Sequence, residues 1–148
     1  MKLNRKSIQK AGLYGLLSGV FLAVFFKIIE RATHLKVYTL LLNVDYIPVI
    51  NQYHFPEIIE VAFHLVISIL LSISLAFVLY SKRVSRRRSI ISWCTAACLL
   101  IGLLLFPTTA LSDRTPPATS MPALLYWLVG HGLYGVMLGC LFARKQPS

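Results

Sequence analysis

Apolar residues fall into four long runs along the chain, and short polar segments separate them. The hydrocarbon core of a bilayer is about 30 Å thick, and a helix needs roughly 20 mostly apolar residues to cross it. Runs that approach this length are typical of membrane-spanning helices. The pattern therefore predicts four transmembrane helices, over residues 11–29, 57–80, 90–106 and 123–142.

Two prolines agree with the limits of these runs. The third run is short but uninterrupted, and we expect it to end against Pro107, because proline has no amide hydrogen with which to continue a helix. The fourth run follows Pro122, which suits the first turn of a helix, where amide hydrogens have no partner within the helix. The prolines therefore predict one helix end and one helix start.

The segment between the first two runs, residues 32–56, is the longest connection and contains unusually many apolar residues. Its apolar pieces, residues 37–42 and 46–50, are too short to span a bilayer, and Pro48 interrupts any helix. We expect residues 37–50 to lie on the membrane surface or to re-enter it in part. The later connection contains Pro116 and Pro117 and is expected to be rigid.

Composition indicates that most of the chain is surrounded by lipid. Hydrophobic residues make up 57% of it and charged residues 14%, with a mean hydropathy of +0.71. A soluble domain carries about 25% charged residues, so this chain has too few to cover a water-facing surface. The sequence therefore predicts an all-α integral membrane protein, with a single four-helix domain over residues 1–148 and the lipid bilayer as its surroundings.

The net charge of +10 has a topological explanation. Fifteen lysines and arginines stand against five acidic residues, which in a soluble protein would suggest a nucleic-acid partner. In a membrane protein, basic residues instead hold short loops on the cytoplasmic side. Eleven fall in the termini and the second connection: Lys2, Arg5, Lys6, Lys10, Lys82, Arg83, Arg86, Arg87, Arg88, Arg144 and Lys145. The distribution predicts that both termini lie in the cytoplasm, and we expect no nucleic-acid partner.

Glycines recur at helical spacing in the first and fourth runs. Each run carries the tetrapeptide Gly-Leu-Tyr-Gly and a GxxxG motif, which lets helix backbones approach closely in lipid. The glycines are Gly12, Gly15 and Gly19 in the first run and Gly132, Gly135 and Gly139 in the fourth. We predict that these two helices pack closely, within one chain or across a dimer. The alternative is scattered glycine, which is common in membrane helices.

Ionisable residues within the predicted spans are candidates for function, because a charge in lipid is costly. With a rise of 1.5 Å per residue, His64 lies roughly 10 Å and His131 roughly 12 Å below the outer ends of their helices. Lys27, Glu30 and Glu60 lie near the outer ends as well, and Glu60 shares a helix face with His64. These five residues form a candidate proton-responsive cluster, because histidine titrates near neutral and mildly acidic pH.

Other roles for the same residues stay open. Lysine and glutamate side chains reach the interface from helix ends, and each histidine could make one interhelical hydrogen bond. A metal site is a further alternative, because His34, His54 and Glu57 also lie on the outer side. The spacing lacks the Glu-x-x-His pattern of di-metal bundles, and no nucleophile elbow or P-loop occurs. We therefore expect no catalytic residue, no metal site and no cofactor, and a protein that is not an enzyme.

Several short strings resemble the YagU-like family of small bacterial inner-membrane proteins. The first span ends Phe26-Lys27-Ile28-Ile29-Glu30, similar to the family's glycine-rich opening helix with its lysine and following glutamate. The helix that begins near His64, the Phe106-Pro107 and Pro116-Pro117 pairs, and Gly130-His131 resemble later parts of the family pattern. The resemblance implies a multi-pass inner-membrane protein linked to acid tolerance, with no established reaction.

Three functional hypotheses follow from these patterns and from the resemblance. In the first, the protein is not an enzyme and contributes to acid tolerance through the outer-half cluster, together with a homo-oligomer or another membrane protein as partner. In the second, it is a structural or interaction subunit that docks onto a membrane complex through its glycine-rich helix faces. A membrane metal-binding protein or enzyme is the third and has the least support.

Overall fold

The computed structural model describes residues 4–44, 47, 53 and 55–144, and within them all regular structure is helical. The helices are α1 Arg5–Thr33, α2 Val37–Leu42, α3 Glu57–Ser81, α4 Arg87–Leu105 and α5 Met121–Ala143, and a 3-10 helix Phe106–Leu111 continues α4. The helices α1, α3, α4 with its 3-10 extension, and α5 are long and apolar enough to cross a membrane. The predicted all-α membrane fold is confirmed at this level.

Helix ends extend past the hydrophobic runs, because a backbone ladder can continue through polar residues at the bilayer edge. Helix α1 begins six residues before the predicted span, where the Asn4 side chain accepts a hydrogen bond of 2.9 Å from the amide of Ser7. It ends at Thr33, and the capping residue His34 that follows has a left-handed φ of 59°. Pro107 does not end the third helical segment as predicted: the chain tightens there into the 3-10 helix, whose first turn accepts a proline.

The four long helices form two antiparallel pairs, α1 with α3 and α4 with α5, and α1 packs against α5 to join the pairs. The consecutive helices α3 and α4 are connected by a tight basic turn and yet touch each other very little. Spatial order is therefore α3, α1, α5, α4. This order leaves a gap between α3 and α4 along the side of the bundle.

Glycines produce the closest contacts within the α1/α3 pair. A Cβ atom added at Gly15 would lie 2.6 Å from the Cβ of Ser72, and one at Gly19 would lie 2.6 Å from Ser68 Oγ. At this separation the two serines donate hydrogen bonds across the interface, from Ser68 Oγ to the Gly15 carbonyl at 2.7 Å and from Ser72 Oγ to the Ala11 carbonyl at 2.6 Å. Hydrogen bonds from the serine hydroxyls, and the close helix approach that glycine permits, together stabilise this pair of helices.

The α4/α5 pair uses the second glycine motif in the same way. A Cβ atom at Gly135 or Gly139 would lie 2.7 Å from a backbone Cα of α4, that of Thr95 or Ile91. The two glycine motifs therefore do not face each other, although α1 and α5 are in contact. Between those two helices a ring fills the space instead, because Phe26 packs directly against Gly130.

The perimeter of the bundle is apolar, as expected for a surface in contact with lipid. Large hydrophobic side chains are exposed on all four long helices, including Leu13, Ile67, Leu104 and Leu125. Exposed apolar surface of this extent is not compatible with a soluble monomer. It supports the interpretation that the four long helices lie in a bilayer.

The connection after α1 folds onto the bundle. Helix α2 buries Val37, Leu40 and Leu42 and packs against α1, α3 and α5. The predicted surface-lying or re-entrant segment therefore begins as a helix docked on its neighbours. Residues 45–46, 48–52 and 54, including Pro48 and His54, lie outside the described residues. The end of the bundle that carries α2 and residues 112–120 is called the α2 end below.

Candidate functional site

An ion pair joins α1 to the start of α3 at the α2 end. Lys27 Nζ lies 2.6 Å from Glu57 Oε1, with both side chains about half exposed. The Tyr38 hydroxyl donates to the same carboxylate oxygen at 2.7 Å, and Lys27 also lies 5.2 Å from the centre of the Tyr38 ring. Partial burial and the neighbouring Glu57 carboxylate raise the pKa of Tyr38, so the phenol stays a donor over the physiological pH range. Lys27 therefore pairs with Glu57 and not with the glutamates predicted to lie beside it.

Glu30 holds the start of α2. Its Oε2 accepts hydrogen bonds from the backbone amides of Tyr38 at 2.7 Å and Thr39 at 2.9 Å, and its Oε1 accepts one from Thr39 Oγ1 at 2.8 Å. The first amides of a helix have no partner within the helix and carry partial positive charge, which a carboxylate satisfies. Glu30 therefore has a structural role that the sequence pattern did not reveal.

Glu60 forms the most buried charged contact of the described residues. Only 5% of Glu60 is exposed, and Arg114 meets it with two nearly parallel bonds, Nη1 to Oε1 at 3.0 Å and Nη2 to Oε2 at 3.3 Å. A planar guanidinium matches both carboxylate oxygens, which one imidazole nitrogen cannot do. Although Glu60 shares a helix face with His64, its carboxylate is therefore bonded to Arg114 of the 112–120 connection, and this pair of bonds is called the clasp below.

His64 makes its hydrogen bond to backbone. Its Nε2 lies 3.1 Å from the carbonyl oxygen of Gly19 on α1. A carbonyl oxygen only accepts, so in the neutral ring Nε2 carries the hydrogen and Nδ1 carries a lone pair. Within the described residues, Nδ1 takes no hydrogen bond. The ring therefore connects α3 to α1 through one nitrogen and keeps an acceptor on the other.

His131 has the opposite tautomer and a more apolar environment. Its Nδ1 lies 2.9 Å from the carbonyl oxygen of Trp127, which assigns the hydrogen to Nδ1 and the lone pair to Nε2. The ring packs against the aromatic rings of Phe26 and Trp127, with centroids 5.9 Å and 4.4 Å away. Gly102 on α4 makes room for it, because a Cβ atom there would lie 2.8 Å from the imidazole.

The two histidines line one cavity of about 230 Å³ between the helices. Tyr134 and Ser68 lie deeper in the same cavity, with their hydroxyl oxygens 2.8 Å apart. Because Ser68 donates its single hydrogen to the Gly15 carbonyl, Tyr134 donates to Ser68. The remaining lining is mostly apolar, so the histidines and the tyrosine are polar groups in an apolar space.

The cavity lies beside the gap between α3 and α4. Val66 and Ile67 of α3 line it and are themselves 52% and 62% exposed, and Ile101 and Leu105 of α4 line the facing side. Because these side chains border both the cavity and the lipid-facing surface, the cavity opens on the side of the bundle. Glu60 lines this cavity and also the polar hollow at the α2 end that contains Lys27.

The five predicted site residues thus divide into two places. His64 and His131 meet in the cavity, Lys27 and Glu30 belong to the polar network at the α2 end, and Glu60 borders both. Sequence reasoning missed three contributors: Tyr38, Arg114 and Tyr134. A tyrosine in an apolar run and an arginine in a loop carry no signal of their partners, although Tyr134 lies one helical turn after His131 on the same face.

The described residues contain no group of three or more histidine, cysteine or acidic side chains that could hold a metal ion. His34 caps α1 with a left-handed backbone, and His54 lies outside the described residues. The described site can accept hydrogen bonds and protons at histidine nitrogens. Compared with known proteins, the chain matches no protein-family model, no curated protein and no solved structure.

Proposed function

We propose that this protein is a non-enzymatic, multi-pass protein of the bacterial inner membrane with both termini in the cytoplasm. Support comes from the basic turn between α3 and α4, where Lys82, Arg83, Arg86, Arg87 and Arg88 are all exposed at the end opposite α2. Positively charged short loops stay on the cytoplasmic side. The α2 end, with its polar hollow and the clasp between Glu60 and Arg114, then faces the outside.

Within this topology, the proposed role is a contribution to acid tolerance. The observation that carries it is the joint location of His64 and His131 in one outer-half cavity, each with a nitrogen that the described hydrogen bonds leave free to accept a proton. The resemblance of short strings to the YagU-like family points in the same direction. Histidine is the side chain that gains charge as external pH falls through mildly acidic values.

The charged groups around the histidines suggest how protonation could act. Glu60 lies one helical turn before His64 and is held by Arg114; Tyr134 and Cys98 line the deeper cavity. A protonated His64 would compete with Arg114 for the Glu60 carboxylate and loosen the 112–120 connection. A second charge on His131 would repel the first across an apolar space, where screening is weak. Both effects favour a rearranged packing of α3 and α5.

The test is a double substitution, His64→Gln and His131→Gln, in the strain that carries the gene and beside a deletion strain. Glutamine keeps a donor and an acceptor but does not titrate, so the variant should accumulate in the membrane and survive acid as poorly as the deletion. The control is His34→Asn, which removes a histidine outside the cavity at a left-handed position that asparagine tolerates. Normal acid survival of the double variant, or of the deletion strain, would contradict the proposal.

Topology has a separate test. A reporter that is active only outside the cytoplasm should be inactive when fused after Arg88 and active when fused after Asn51. The opposite result would invert the proposed orientation and place the histidine cavity in the cytoplasmic half.

The alternative role, docking onto a membrane complex through the glycine faces, has less support. Gly15 and Gly19 are covered by α3, and Gly135 and Gly139 by α4. A partner would have to displace a helix of this chain to reach them. Four helices alone would need a second copy of the chain or a membrane-protein partner to form a transport path. We propose that such a partner contacts other faces of the bundle.

A further inference from the structure

The cavity between α3 and α4 has a chemical selectivity that its polar lining defines, and this selectivity does not depend on a response to acid. The strong donors that the four long helices and the 3-10 helix present to it are already used by protein acceptors. Trp127 Nε1 donates to the Gly102 carbonyl at 2.8 Å, and Ser68 and Tyr134 use their hydrogens on Gly15 and Ser68. The Thr108 hydroxyl donates to the Leu105 carbonyl at 2.7 Å.

Lone pairs remain. The hydrogen bonds of His64 and His131 to backbone carbonyls assign one acceptor nitrogen to each neutral ring, and the Tyr134 oxygen keeps acceptor capacity as well. The Asn43 side chain, on the segment after α2, also lines the cavity, and its amide carries both donor and acceptor groups. An apolar space with acceptor groups favours a ligand whose head donates a hydrogen bond.

The charge of the ligand follows from Glu60. Its carboxylate is the acidic group that borders the cavity among the described residues, and Arg114 already neutralises it through two bonds. An ammonium head would enter without a counter-charge, and an unpaired charge in an apolar site is costly. A neutral hydroxyl needs only one acceptor.

The route of entry follows from the exposed lining. Val66 and Ile67 border the cavity and the lipid-facing surface of α3, beside the gap that α3 and α4 leave. A molecule dissolved in the bilayer can therefore enter sideways, with its apolar tail along these side chains. We propose that the cavity binds a membrane-soluble, neutral alcohol, whose hydroxyl donates to His64 or His131.

The direct test compares two ligands of equal size, 1-octanol and heptyl methyl ether. The hydroxyl of octanol can donate a hydrogen bond, whereas the ether oxygen can only accept one. Protein with the single substitution Trp93→Phe retains Trp127 as its only tryptophan, and this residue lines the cavity. We expect a saturable change of Trp127 fluorescence with octanol in nanodiscs, and binding of the ether roughly tenfold weaker, the cost of one lost hydrogen bond. Equal binding of the two ligands would overturn the proposal, as would tighter binding of octylammonium.

Two cavity variants separate this proposal from the proposed acid response. His64→Leu with His131→Leu removes the two histidine nitrogens that accept the hydroxyl and should abolish the preference for octanol, whereas the paired glutamine substitutions retain an acceptor at each position and should preserve it. If the glutamine variant binds octanol but loses acid tolerance, both proposals stand; normal acid survival with intact octanol selectivity refutes the acid role alone. A preference for octanol that persists in the leucine variant refutes the ligand site.

A control variant and a mass measurement complete the test. In the Trp127→Phe protein the remaining Trp93 lies outside the described cavity lining, so a saturable octanol signal there would indicate a general effect of the alcohol and contradict the site. A second copy of the chain is the other candidate occupant of the gap. A stable dimer in native mass spectrometry that octanol does not disturb, without a saturable octanol signal, would assign the gap to a copy and overturn the proposal.

Discussion

Replacing Gly15 by alanine should separate α1 from α3, and the neighbouring Gly12 offers a matched control on the same helix. An added Cβ at Gly15 would lie 2.6 Å from Ser72 Cβ, 2.7 Å from the carbonyl oxygen of Ser68 and 2.9 Å from the Cα of Ile69. Two of these atoms belong to the backbone and cannot rotate away. At Gly12 the nearest atom is a methyl group of Ile69 at 3.6 Å, an ordinary contact.

The size of the effect follows from these distances. Carbon atoms pack at about 3.5–4.0 Å, so α1 and α3 must move apart by about 1 Å to accept alanine at position 15. Overpacking of this kind costs about 1–3 kcal/mol, and the shift also stretches the bond from Ser68 to the Gly15 carbonyl. Both alanine variants gain the same helix propensity, at most about 1 kcal/mol. We expect Gly15→Ala to be less stable than Gly12→Ala by about 1–3 kcal/mol.

Buried thiols provide the assay. Cys94 and Cys98 are 0% and 1% exposed, so a thiol-reactive dye reports unfolding when it gains access to them. Cys140, which is partly exposed, is replaced by serine in all variants. Unfolding free energies are compared for the parent, Gly12→Ala and Gly15→Ala in the same detergent. An equal change for the two alanine variants would refute the reasoning from backbone contact.

Two further predictions concern the α2 end. Arg114→Ala should reduce the free energy of unfolding by about 1–2 kcal/mol in the same assay, because it leaves the Glu60 carboxylate buried without its partner; the loss is smaller than for a fully buried pair, since Arg114 is about half exposed. The exposed Arg31 gives the control: an equal loss for Arg31→Ala would contradict a specific clasp. Tyr38→Phe should cost at most about 1 kcal/mol through its bond to Glu57. Because the pKa of Tyr38 is raised on folding, its contribution is complete below the ordinary value of about 10 and decreases as pH rises above it. The parent should therefore lose more stability than Tyr38→Phe above this pH in unfolding measurements, and parallel curves would contradict that assignment.

The contacts at the α2 end show why positions along a helix can be predicted from the sequence but the partners of charged side chains cannot. Depth along a helix depends only on the rise per residue, so His64 and His131 could be placed at similar heights from their positions in the runs. Partner choice depends on which helices are neighbours and on where loops fold. Lys27 pairs with Glu57 because α1 packs against α3, and Glu60 pairs with Arg114 because the 112–120 connection lies against this end of α3.

The four long apolar helices could be predicted from the sequence, because a bilayer imposes a length and a composition that can be counted along the chain. The sequence also identified the glycines that permit close backbone contact. The partner helix of each glycine motif became apparent in the folded chain: Gly15 and Gly19 pack against α3, and Gly135 and Gly139 pack against α4. Pairing of this kind depends on complementary surfaces far apart in the chain. For the same reason, the tautomers of the two histidines, and with them the acceptor character of the cavity, could be read only from the carbonyl oxygens that the folded helices bring to each ring.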